Sequence, residues 1–264
     1  MKSRFFKPLT IEEALKTKSE NPGSLYLGGG TEINNPASGS HGDVLISLEE
    51  LNLKACVKGE HNFILGASCT FQELIDWEEC YPPLKEAAGF LFSRNVRNMA
   101  TLGGNIGAHL KDSYLVPVLM ALDADLELAG DSVIPLEQYV SEERNDLILN
   151  VRFAHAGGQT AVKNIAKSAG GLSVLSAAVS IEQENGKITK AAIAVAGLYG
   201  RVTRLKTIED ALTGGSLKSG HDLQDAVTDA VEAEDDIRGS AAYKKYLCGV
   251  VVADCVARCM KENV

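Results

Sequence analysis

Apolar and polar positions alternate along this chain in short, punctuated segments. Thr10 opens a helical pattern running through Ile11, Ala14 and Leu15, with Glu13 three residues on at capping-box spacing. Asn21-Pro22-Gly23 stops it, and the apolar run 24–27 predicts a strand. Residues 44–48 predict a second strand. This order suggests a small α/β unit with a parallel sheet. Residues 63–67 predict a strand, Thr70 with Glu73 caps a helix, and Pro82 sits in the first turn of another. Residues 115–122 read as a buried helix and 124–128 as an alternating strand. Beyond residue 155, the apolar stretch 172–181, the turn Glu184-Asn185-Gly186-Lys187 and the run 188–195 predict a hairpin. Helices follow at 208–213, 223–231 and 241–260, the last apolar enough to lie buried against that hairpin. Ala156-Gly157-Gly158 marks the best domain boundary.

The 264 residues are 45% hydrophobic, enough for a sizeable core. A net charge of -9 argues against nucleic-acid binding. No apolar run is long enough to span a bilayer, and the N-terminal residues lack the apolar region of a signal peptide, so a cytoplasmic location is expected. Cys56, Cys69, Cys80, Cys248, Cys255 and Cys259 show no C-x-x-C spacing. They read as small buried residues, without ligands for a metal or an iron–sulfur cluster.

Two glycine-rich segments carry the candidate chemistry. The first is Leu27-Gly28-Gly29-Gly30-Thr31-Glu32-Ile33. The second, RNVRNMATLGGNI at 94–106, contains Thr101, Gly103, Gly104 and Asn105. Glycines permit positive φ and close ligand approach, and successive exposed N–H groups form an anion site. Two such loops suit a ligand with two linked phosphates. Neither has the G-x-G-x-x-G or Gly-Lys-Ser/Thr spacing of Rossmann or P-loop sites.

The second segment resembles the RNVATIGGNI signature of the FAD-binding medium subunits of molybdenum hydroxylases, among them those of xanthine dehydrogenase and carbon monoxide dehydrogenase. LGGGTEI is similar to that family's first FAD loop, VPVLMALDADLEL to the segment after its second, and DDIRGSAAYKKYLCGVVV (235–252) to its C-terminal helix. The likeness runs from Phe5 to Val252 and is closest to the bacterial purine-hydroxylase-like branch. It implies an α+β chain: a two-subdomain FAD-binding fold of the PCMH/vanillyl-alcohol-oxidase type, at 1–55 and 56–155, plus a C-terminal α/β domain of antiparallel strands and helices at 158–264.

The resemblance implies that 28–31 hold the FAD pyrophosphate, that Leu27, Glu32 and Ile33 complete that loop, and that Thr101, Gly103, Gly104 and Asn105 line the cofactor from the other side. Arg94 and Arg97 would add charge near the phosphates. Lys163 matches a family lysine, and Lys167 replaces an arginine near the flavin ring. Ser113-Tyr114-Leu115 stands where relatives have Ser-Asp-Leu, with Asp112 one position earlier. Arg238 reads as structural, with Asp235 or Asp236 as a possible partner, and Tyr243 as packed between domains.

The implied role is electron transfer, from the two-iron two-sulfur clusters of a small subunit to NAD+ or another acceptor, beside a large subunit carrying the molybdenum cofactor. No side chain need act as a catalytic acid or base. A stand-alone FAD oxidoreductase and a flavin-free scaffold are the alternatives.

Overall fold

The computed structural model describes residues 4–36, 38, 42–154, 157–217 and 220–260. His155 and Ala156, at the expected boundary, lie outside the described residues. Three sheets divide the described chain. The first is parallel, with β1 (Arg4–Phe6) beside β3 (Val44–Ser47) and β3 beside β2 (Leu25–Leu27). Helix α1 (Ile11–Glu20) covers it, setting the buried Ala14 in one cluster with Ile46, Leu51 and Leu147. Thr10 caps α1, accepting the Glu13 N–H at 3.2 Å. The reciprocal half of the expected box is displaced by one residue, because the Glu13 carboxylate takes the Leu9 N–H at 2.8 Å.

The second sheet is antiparallel, in the order β4 (Cys56–Lys58), β5 (Asn62–Gly66), β8 (Ile148–Ala154), β6 (Asp125–Leu128), β7 (Ser132–Pro135). Phe63 of β5 stacks on Phe153 of β8 at 5.0 Å. Between β5 and β6 the chain makes α2 (Phe71–Asp76), α3 (Pro82–Gly89), α4 (Arg94–Arg97), α5 (Leu102–Gly107) and α6 (Leu115–Ala121). The short α7 (Leu136–Ser141) precedes β8. The Thr70 box on α2 is complete, at 3.1 and 2.7 Å. Every residue of α6 is buried. Pro117 is tolerated there because its missing N–H falls in the first turn, where no intrahelical partner exists.

The third sheet, order β12-β11-β10-β9, is also antiparallel: β9 (Gln159–Ala166), β10 (Ser173–Glu184), β11 (Lys187–Ala196) and β12 (Thr203–Arg204). Asn185 and Gly186, with φ of 52° and 75°, make the two-residue hairpin turn. Alanines 178, 192, 194 and 196 share a core with α6, while Val179, Ile181, Ile193 and Val195 belong to a second core with α8 (Lys206–Thr213), α9 (His221–Ala230) and α10 (Ala241–Met260). Burial on both faces explains the unbroken apolar runs. Among the described residues, no helix is long and apolar enough to cross a membrane.

Candidate functional site: a cleft between two glycine segments

The first glycine segment begins where β2 leaves its sheet. The Leu48 N–H donates to the Leu27 carbonyl at 3.0 Å, closing the ladder. Gly30, at φ 70°, turns the chain, and the Asn34 N–H returns to the Gly30 carbonyl at 3.0 Å. The amide N–H groups of residues 28–33 have no hydrogen-bond partner among the described residues. A row of free donors in a half-open turn is a physical requirement for holding an anion.

The second segment is helical, which corrects the expectation of a loop. Ser93 caps α4, and Thr101 caps α5 by accepting the Gly104 N–H at 3.1 Å. The Leu102, Gly103 and Asn105 amides donate to the Cys69, Ala67 and Thr101 carbonyls at 2.8, 2.7 and 2.9 Å. The amides of 102–105 are therefore spent inside the fold, and the free donors belong to the first segment alone.

The two segments touch. A Cβ on Gly28 would come within 2.7 Å of Thr101 Oγ1, and one on Gly29 within 1.4 Å of the Met99 carbonyl oxygen. Glycine at both positions is the condition for this approach. Between the segments lies a half-open cleft with a cavity volume of about 150 Å³. Residues 28–33 form one side of it, and Thr101, Gly103, Gly104, Gly107 and Ala108 the other.

Sequence reasoning missed the remaining walls. Tyr26, Leu48, Tyr139 and residues 145–148 also line the cleft. Tyr26 and Leu48 lay in apolar runs that predicted strands, but nothing local marked these residues or 145–148 as walls of a site. Burial pushes the Tyr26 phenol up to about 12, with the Asp146 carboxylate adding to it, and pushes Tyr139 up as well. Both rings stay neutral. Lys18 lines the same space, with its ammonium 5.3 Å from the Tyr26 ring centroid and its pKa lowered by burial.

Other expected residues lie elsewhere. Leu27 packs beneath Gly30, where a Cβ would meet its Cδ1 at 3.2 Å. Asn105 does not line the cleft; its Oδ1 accepts the Ser113 hydroxyl at 2.7 Å. Lys163 pairs with Asp254 of α10 at 2.7 Å, and Lys167 donates to the Ile237 carbonyl at 3.0 Å, so neither reaches this cleft. The Arg97 guanidinium is taken by Gln72 Oε1 and by the Leu91 and Phe92 carbonyls, and Arg94 is exposed away from the cleft. The Arg238 guanidinium pairs with Asp112 at 2.7 Å, so Asp112 is not free to stand in for the missing aspartate, while the expected contact with Asp236 is made by the Arg238 backbone N–H, which donates to Asp236 Oδ1 at 2.8 Å. Tyr114 is half-buried against Phe90, and burial raises its pKa. Tyr243 is 47% exposed, not packed between units.

The sequence matches the FAD binding domain in molybdopterin dehydrogenase over residues 1–156 and the CO dehydrogenase flavoprotein C-terminal domain over residues 160–259. The chain belongs to the molybdenum hydroxylase family as an FAD-binding subunit. This flavoprotein subunit is 32% identical to the uncharacterized protein YgfM of Escherichia coli (strain K12), over 100% of this chain and 98% of that one. It is 23% identical to the glyceraldehyde dehydrogenase medium chain of Sulfolobus acidocaldarius, over 92% of each. Its fold matches that of a chain of the carbon monoxide dehydrogenase from Hydrogenophaga pseudoflava, with a TM-score of 0.88, 23% identity and coverage of 98% and 99%. FAD is its cofactor, and it is an oxidoreductase subunit. The cleft fits such a cofactor on two counts: the unpaired amides at 28–33, and the glycines at 28 and 29 that let this segment lie directly against residues 99–101.

Proposed function

We propose that the cleft between the two glycine segments holds FAD, and that the subunit passes electrons from iron–sulfur clusters of a small partner subunit to NAD+ or another acceptor. A large partner subunit would carry the molybdenum cofactor. The observation that carries this reading is the row of free amides in residues 28–33, which line a cleft walled by α5. The relatives' names agree: one is a subunit of a 6-hydroxypseudooxynicotine dehydrogenase complex, another a putative xanthine dehydrogenase FAD-binding subunit.

When bound, FAD supplies the exchange between one-electron donors and a two-electron acceptor. The protein's part is placement. The 28–31 amides and the Thr31 hydroxyl hold the diphosphate, Glu32 and Ile33 shape the turn, and Thr101, Gly103 and Gly104 wall the opposite side. Tyr26, Leu48, Tyr139 and Ile148 give the cleft apolar surface that excludes water. Lys18 offers a cation near the anionic ligand. Leu27 and Asn105 support the two segments from behind. Lys163 in β9 and Lys167 just after it belong to the third sheet's unit and would act toward the ring end of the cofactor only through that unit. We assign the FAD-binding subdomains to 1–55 and 56–155 and the C-terminal domain to 158–264, following the three sheets.

Purification of the tagged chain from its native cells, with flavin, iron and molybdenum assayed in the same fractions, tests the assembly. All three should co-elute. A yellow chain eluting alone would support a stand-alone flavoprotein, and a colourless one a scaffold.

A further inference from the structure

His109 follows the two cleft-lining residues Gly107 and Ala108, and it holds a left-handed backbone, φ 48°, unusual for a residue with a side chain. That turn lays its ring face to face with Tyr139, with centroids 5.4 Å apart and planes 16° from parallel. Its Nε2 lies 2.7 Å from the Arg144 carbonyl oxygen. A carbonyl only accepts, so Nε2 carries a proton and donates it to Arg144. Nδ1 is buried and has no partner. The ring is thus held with one nitrogen unpartnered and the other bonded, at the left-handed residue that ends α5.

The bond joins two parts of the cleft lining. One is the end of α5. The other is the segment through Arg144 into residues 145–148, which also line the cleft. Tyr139 strengthens the same joint, since its hydroxyl donates to the Asp146 carbonyl at 3.2 Å. We propose that His109 is a positioning residue for the cofactor: its Nε2–H clamps the 144–148 wall to α5 and fixes the width of the cleft. This rests on the reading that the cleft receives FAD. His109 need not touch the ligand, and its buried Nδ1 has no access to one.

His109→Gln keeps an amide N–H near the Nε2 place and loses the ring, whereas His109→Phe keeps the stack and loses the donor. FAD affinity of the apoprotein, from quenching of flavin fluorescence, is measured beside its thermal melt. His109→Phe should bind FAD about tenfold more weakly, the equivalent of roughly one hydrogen bond, and His109→Gln should stay near wild type. Wild-type affinity in His109→Phe overturns the proposal, as does a loss in His109→Gln as large as in His109→Phe. Should His109→Phe fail to fold, imidazole nitrogen NMR of the unaltered protein decides: the Nε2–H tautomer is required, and an Nδ1–H tautomer overturns the clamp. Failure of the wild type to bind FAD in the same titration would instead sink the assignment of the cleft.

Discussion

One methyl group separates two kinds of glycine around the cleft. At Gly29 it would collide with backbone, the Met99 carbonyl oxygen, which cannot swing aside. At Gly107, which lines the same cleft, a Cβ would meet nothing nearer than Tyr139 Oη at 3.9 Å. Gly29→Ala should therefore destabilise the fold by about 3 kcal/mol through overpacking, read as a lower urea midpoint. Gly107→Leu should leave that midpoint within error and lose flavin. Equal midpoints for Gly29→Ala and wild type would mean that the segments do not meet as described. The glycines stood out in the sequence, but the reason for them did not. Positive φ, the obvious explanation, holds for Gly30 alone of the five glycines at 28–30, 103 and 104; Gly28, Gly29 and Gly103 are set by the distant neighbours Thr101, Met99 and Ala67, and Gly104 by the Thr101 cap of its own helix.

Elements with strong local signals were legible: the Thr10 and Thr70 caps, the Asn185-Gly186 hairpin, and the long apolar α10. Helix α5 was not, because Gly103 and Gly104 oppose helix formation and the turn is held by the Thr101 cap and by the distant Cys69 and Ala67 carbonyls. The walls at 145–148 were hidden for a similar reason, since their place depends on β8 inserting between β5 and β6. Helix α10 also sets thiol chemistry. Burial raises Cys248 and Cys255 to about 12 and Cys259 to about 11, so these thiols stay protonated at neutral pH. Burial likewise raises Cys80 to about 12. Cys56 is half-buried, and a hydrogen bond from the Cys69 thiol lowers its pKa, while Cys69 shifts the opposite way. Maleimide labelling of the native protein at neutral pH, followed by peptide mass mapping, should modify Cys56 first and the α10 cysteines only after denaturation. Early labelling of Cys248 would contradict the burial of α10.

At the scale of the whole molecule, a set of ion pairs fastens the third sheet's unit to the connection between α5 and α6. Arg238 holds Asp112 at 2.7 Å, and Lys111 holds Glu234 at 2.5 Å and Asp236 at 3.6 Å. Lys244, fully buried on α10, pairs with Asp236 at 2.9 Å and donates to the Glu234 carbonyl at 3.0 Å. The 235–252 motif was visible in the sequence; its partners at 111 and 112 were not, because nothing local links them. For Asp236, burial works against the charged form, yet the Lys244 ammonium, the Arg238 amide and Lys111 overcome it and lower the pKa from 3.8 to about 2. A depressed carboxylate stabilises the folded state fully above its unfolded pKa and loses that contribution as pH falls through its folded one. The loss should therefore lie between about pH 4 and 2. Asp236→Asn removes the charge but leaves the Lys244 ammonium buried, so the variant should be about 3 kcal/mol less stable at neutral pH, with a shallower acid limb over that window. Denaturation midpoints of both proteins across the window check this. A parallel acid limb in the variant would show that some other carboxylate carries the acid sensitivity and that the junction does not depend on the pair.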